Sequence, residues 1–138
     1  MTCQTFTILG IPKAQGRPKF YRRGTFVGAY DPSSSREYKN NVAAQICSQQ
    51  PYLFGRDKAL ILRLVFWLPR PKGHFGKKGL KPSAPADHTT KPDLDNLIKA
   101  IKDALKGLVW VDDSQVCRLV ADKKYGAEPK VEIEVRTA

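Results

Sequence analysis

Lys91-Pro92-Asp93-Leu94-Asp95-Asn96-Leu97-Ile98-Lys99-Ala100-Ile101-Lys102-Asp103-Ala104-Leu105-Lys106-Gly107-Leu108 is the stretch on which the reading of this chain turns. Leu94, Leu97, Ile98, Ile101, Ala104, Leu105 and Leu108 recur at steps of three, four and seven, a wide apolar stripe that predicts a core-facing helix. Pro92 stands before it and Gly107 after it, where helix starts and stops place such residues. At about 100° per residue, Lys99 sits about 40° round from Asp95, on the shoulder between stripe and solvent. Asp93 falls at the first turn or just before it.

Upstream, 70–90 has neither a helical nor a strand period and is rich in Pro, Gly and Lys. A loop this long in a compact domain is functional or disordered. Its charge predicts a flexible basic arm gripping phosphates through Lys72, Lys77, Lys78 and Lys81; an inert solvated loop is the alternative. The near-continuous apolar run 59–68, stopped by Pro69 and Pro71, predicts a central strand buried on both faces. Ser34-Ser35-Arg36-Glu37 fits a capping box, and Tyr38, Val42 and Ile46 follow at helical spacing, so a helix is expected over about 35–49. Before it, 13–30 interleaves Lys13, Arg17, Lys19, Arg22 and Arg23 with Phe20, Tyr21, Phe26 and Tyr30. This reads as a ribbon turning at Arg23-Gly24 and suited to phosphates and bases. An ordinary hairpin with a basic solvated face explains the pattern equally well. Thr5-Phe6-Thr7-Ile8-Leu9 alternates as a first strand.

Downstream, Val109-Trp110-Val111 is a short apolar link and 115–123 a strand. Val131, Ile133 and Val135, alternating with Glu132, Glu134 and Arg136, predict a half-exposed edge or outer strand. The order predicts an α+β (mixed α/β) fold, one domain over 1–138 with a single mixed sheet packed by two main helices.

The chain has 138 residues, of which 41% are hydrophobic, so it can bury a real core. Its 24 Lys and Arg against 13 Asp and Glu leave a net charge of +11. That excess favours a polyanionic partner, nucleic acid first and an acidic membrane second. No apolar run reaches about 18 residues, so no membrane span is expected. The first eight residues do not read as a secretory leader. Cys3, Cys47 and Cys117 are far apart, without a Cys-x-x-Cys pair, and His74 and His88 lack zinc-ligand spacing from them. They read as reduced cysteines of a cytosolic protein, buried as small apolar side chains.

Against this basic background six acids gather: Asp87, Asp93, Asp95, Asp103, Asp112 and Asp113. The loop after Trp110 must return to the sheet, and is expected to bring Asp112 or Asp113 to the end that holds Asp93 and Asp95. Two or three carboxylates with waters are what Mg²⁺ prefers. Such a site polarises a phosphodiester, and Lys99 beside it suits the developing charge. Each acid also has a plain reading: Asp93 as a helix cap, Asp95 and Lys99 as a surface ion pair, Asp112-Asp113 as a turn.

Lys91-Pro92-Asp93-Leu94-Asp95-Asn96-Leu97-x-Lys99, then Asp103-Ala104-Leu105-x-Gly107, then Asp112-Asp113-Ser114-Gln115-Val116 resembles the RusA family of Holliday-junction resolvases. Gly10-x-Pro12, Gly16-Arg17-Pro18 and Lys123-Lys124-Tyr125 are similar to flanking features of that family; the arm matches least. The resemblance implies a bacterial or phage-encoded, cytoplasmic, homodimeric endodeoxyribonuclease that resolves four-way junctions by paired phosphodiester hydrolysis with metal-activated water. It implies Mg²⁺ as cofactor, with Mn²⁺ as a substitute, and neither a small-molecule cofactor nor a membrane partner. The implied catalytic and metal-binding carboxylates are Asp93, Asp95 and Asp113, and the implied catalytic lysine is Lys99. Asp112, Asp103 and Asn96 are expected to support them. Arg17, Lys19, Arg22, Arg23, the four arm lysines and Lys124 are expected to bind DNA. Action on forks or flaps, or binding of junctions or duplexes without cleavage, are the alternatives.

Overall fold

The computed structural model describes residues 2–16, 19–30 and 33–138, with the backbone alone at Lys19, Tyr21, Ala29 and Tyr30. A four-stranded mixed sheet runs in the order β1 (Cys3–Leu9), β8 (Lys130–Thr137), β4 (Leu60–Leu68), β7 (Val116–Tyr125). β1 pairs antiparallel to β8, β8 antiparallel to β4, and β4 parallel to β7. Two helices, α1 (Ser33–Ser48) and α2 (Leu94–Leu105), pack against each other and against one face of the sheet. The expected α+β architecture holds.

The core is where two periods meet. Phe6 and Ile8 of β1, Leu60, Leu62, Leu64, Phe66 and Leu68 of β4, and Val131, Ile133 and Val135 of β8 are the alternate residues on the helix side. Tyr38, Val42 and Ile46 of α1 close on them, with Leu97, Ala100, Ile101, Ala104 and Leu105 of α2. Gly107 ends α2 at φ +84°, a left-handed conformation that glycine adopts without a Cβ penalty. Its N–H reaches Trp110 O at 2.7 Å, which turns the chain back toward the sheet.

Several expectations are corrected. The strand 130–137 lies inside the sheet between β1 and β4, not at an edge. Its alternation reports one face turned from the helices, since among the described residues no helix covers the other side. β4 is central, but Ile61, Val65 and Trp67 on that open face are only half-buried and Arg63 is exposed. The three cysteines are exposed and free. Ser35 sits inside the first turn of α1, and its Oγ accepts the Gly16 N–H at 2.8 Å. The 70–90 segment holds regular structure: a 3-10 turn (Lys72–His74) and a small hairpin, β5 (Phe75–Gly76) with β6 (Gly79–Leu80). The ribbon is confirmed as β2 (Lys19–Arg23) against β3 (Phe26–Tyr30), turning at Gly24. No described helix is long and apolar enough to cross a membrane.

Candidate active site

Asp93 occupies the N-cap position of α2 with extended backbone (φ −71°, ψ 142°), yet its side chain makes no capping hydrogen bond. Its carbonyl accepts the Leu97 N–H at 3.1 Å, as the first helical turn requires. Asp93 and Asp95 are both exposed, and Asp95 Oδ1 accepts only its neighbour's amide, Asn96 N, at 3.0 Å among the described residues. The fold therefore leaves two carboxylates at one helix start with little structural employment. Lys99 follows one turn after Asp95. Its Nζ lies 3.7 Å from Asp103 Oδ1, so the ion pair is with Asp103, as expected for a tether, and not with Asp95. Asn96 contributes its backbone: its carbonyl accepts Gln15 N at 3.0 Å.

Asp113 stands elsewhere. Because β4 and β7 are parallel, the chain between them must return to the starting end of the sheet, and α2 makes that return. Asp93 is thus near the Tyr125 end of β7 and Asp113 just before its Val116 end. α2, twelve residues and about 18 Å long, runs between them. The expectation that the loop after Trp110 brings Asp112 or Asp113 to the Asp93 end is overturned by this direction of travel. In keeping with it, the described residues contain no group of three Asp, Glu, His or Cys side chains able to hold a metal ion.

At the far end Asp113 opens a short 3-10 turn (Asp113–Gln115), and its Oδ1 accepts the indole N–H of fully buried Trp110 at 2.8 Å. Gln115 Oε1 accepts Val111 N and Asp112 N, while its Nε2 reaches Gly55 O and Lys58 O at 2.8 and 3.1 Å. Hydrogen bonds from Ser114, side chain first and then backbone, hold the Asp112 carboxyl below its ordinary range.

Two basic elements flank the Asp93 end. Gln15 and Gly16, tied to α2 and α1, lead into the β2–β3 hairpin. There Arg22 and Arg23 are exposed, and Phe20 stands 77% exposed. Arg17 and the side chain of Lys19 lie outside the described residues. On the other flank Lys72, Lys77, Lys78 and Lys81 are all exposed, with Lys77 and Lys78 at the hairpin tip. The base of this arm is packed around Tyr125. The Arg70 guanidinium lies 5.3 Å over its ring, and His74 and His88 approach at 4.8 and 4.7 Å. Arg70 also donates to Pro85 O at 2.7 Å.

The residue that sequence reasoning missed is Lys123. Lys124 pairs with Trp67 on the open face of the sheet, away from α2, whereas Lys123 pairs with Phe66 on the helix face. Lys123 Nζ donates to Thr90 O at 2.6 Å and Pro92 O at 2.7 Å, immediately before Asp93. Strand parity was the available signal: alternation puts Lys123 on the face of buried Tyr125. His88, buried beside it, has its pKa lowered, by burial first and then by the Lys123 charge.

The profile of the family described as endodeoxyribonuclease RusA matches residues 10–136. A Bacillus subtilis (strain 168) protein, the uncharacterized protein YqaN, is 37% identical over 139 residues, covering 99% of this chain and 97% of its own. The crossover junction endodeoxyribonuclease rusA of Lactococcus phage r1t is 31% identical over 133 residues, covering 91% of this chain and 83% of its own.

Proposed function

Because the chain belongs to the RusA endodeoxyribonuclease family, we propose that it is a Mg²⁺-dependent homodimer that cuts four-way DNA junctions by paired phosphodiester hydrolysis. The observation that carries this reading is the uncommitted carboxylate pair, Asp93 and Asp95, at one helix start, on a chain that also exposes Arg22, Arg23 and the arm lysines.

The pair suits Mg²⁺, which is commonly held by one or two carboxylates together with waters and substrate phosphates. Asp93 and Asp95 would hold it. A divalent ion there supplies charge neutralisation at the scissile phosphate and a more acidic water. Lys99, one turn along, presents an ammonium to the same phosphate, and Asp103 at 3.7 Å limits where that ammonium can go. Arg22, Arg23 and the arm lysines hold the backbone on either side.

Asp113 of the same chain follows the opposite end of α2. If it serves the reaction, it serves the other subunit's site. Two carboxylate groups at opposite ends of one helix meet their counterparts when the helices of two chains lie antiparallel about a two-fold axis. That one operation generates two equivalent sites, which matches cutting of two strands.

Mixing tests this. Asp95→Asn and Asp113→Asn proteins, each inactive alone, are expected to regain about a quarter of wild-type nicking when subunits exchange at equal amounts, because half the dimers then carry one intact site. No recovery after proven exchange would place all three carboxylates in one chain. An active Asp113→Asn protein would remove Asp113 from the site.

A further inference from the structure

We infer that Lys123 is a positioning residue, an ammonium clamp from β7 that sets where Asp93 stands. The inference rests on the proposed role of Asp93 and adds to it a residue on a different element.

The segment 86–92 is laced to β7 step by step. Tyr125 N donates to Ala86 O at 2.9 Å and His88 N to Lys123 O at 3.0 Å. These bonds stop at His88. Thr89, Thr90 and Lys91 are exposed, and the backbone there has left the strand edge. Over this gap the Lys123 side chain takes over, bonding the carbonyls of Thr90 and Pro92 at 2.6 and 2.7 Å. An ammonium has three donors and no acceptor, so it satisfies two carbonyls that no neighbouring strand reaches. Hydrogen bonds to a charged donor are the stronger kind. Asp93 is the next residue after the second carbonyl, with extended backbone and no cap bond of its own. The hold on Pro92 therefore joins the Leu97 bond in setting where its carboxylate stands relative to Asp95.

A lysine on a DNA-binding protein is ordinarily read as a phosphate contact. Here two donors point into the protein, and the side chain is half-buried on the helix face of β7. The two roles predict different results.

Lys123→Met keeps the aliphatic stem and removes the clamp. Native-state hydrogen exchange at the Leu97 amide, bonded to Asp93 O, is expected to accelerate about tenfold or more relative to amides late in α2. Junction cleavage should fall while junction affinity and its salt slope stay near wild type. Lys123→Arg, which retains charge and donors, should recover part of the protection and part of the cleavage together. Unchanged exchange at Leu97 in Lys123→Met overturns the clamp. So does a salt slope shallower by about 0.9, the signature of one phosphate no longer neutralised. If the wild-type protein itself fails to nick junctions, the proposed function falls, while hydrogen exchange still decides the clamp.

Discussion

Asp113 has one duty in the fold and a second in the proposed reaction, and two substitutions part them. Its Oδ1 is the acceptor for the Trp110 indole N–H at 2.8 Å, and Trp110 is fully buried. Asp113→Ala leaves that donor unpaired. An unsatisfied buried polar group costs about 1–3 kcal/mol. Asp113 is itself half-buried, so water can enter behind the truncation and the loss should lie near about 1–2 kcal/mol. For a domain of this size that is a fall in Tm of roughly 3–10 °C. Asp113→Asn retains an amide oxygen in the same place and should recover at least half of the loss. Its cleavage should nevertheless be as poor as that of Asp113→Ala, because the charge is gone. Calorimetric or urea unfolding of the three proteins, beside a junction-nicking assay, reads both duties. Equal midpoints for Asp113→Ala and wild type would refute the structural half of the reasoning. Equal midpoints for the two variants would show that the acceptor itself is not what matters.

The arm makes a second prediction: Lys77→Ala with Lys78→Ala should weaken junction binding and make the dependence of log K on log salt shallower, by roughly 0.9 for each phosphate the two lysines neutralise. An unchanged slope in a filter-binding or anisotropy titration would take the hairpin off the DNA. The third concerns acid stability. Burial and the Lys123 charge depress His88 below its ordinary 6.5, so the unfolded chain binds the proton more readily. The His88 contribution to stability is complete above 6.5 and is lost as pH falls from there through the depressed folded value. His88→Phe should show a smaller drop in Tm between about pH 7.5 and about pH 5.5 than wild type; an identical drop would mean that other groups set the slope.

What the sequence disclosed and what it hid follow from the range of the interactions involved. α2 was legible because its stripe, Pro92 and Gly107 are local signals that agree. α1 and the β2–β3 turn were legible for the same reason. The place of the strand 130–137 was not: alternation reports one uncovered face, and an inner strand of a sheet with helices on one side alternates as an edge strand does. The apolar run in β4 misled in the complementary way, since Ile61, Val65 and Trp67 are partly covered by neighbours on the open face without a second layer of helices. Strands as short as Phe75–Gly76 and Gly79–Leu80 are too brief to show a period. At the site, residue types and the Asp93–Asp95 spacing could be read directly. The separation of Asp113 could not, because it depends on β4 and β7 being parallel, a pairing between segments more than fifty residues apart. Lys123 stayed hidden behind Lys124 until the strand's parity was known.

The central claim is junction-selective hydrolysis that needs the Asp93–Asp95 pair. The most direct measurement is cleavage of a labelled four-way junction and a matching linear duplex, with and without Mg²⁺, by wild type and Asp95→Asn. Paired nicks on the junction alone, requiring both Mg²⁺ and Asp95, are the predicted result. Junction binding without nicks in any divalent ion, or cleavage that survives Asp95→Asn, would contradict it.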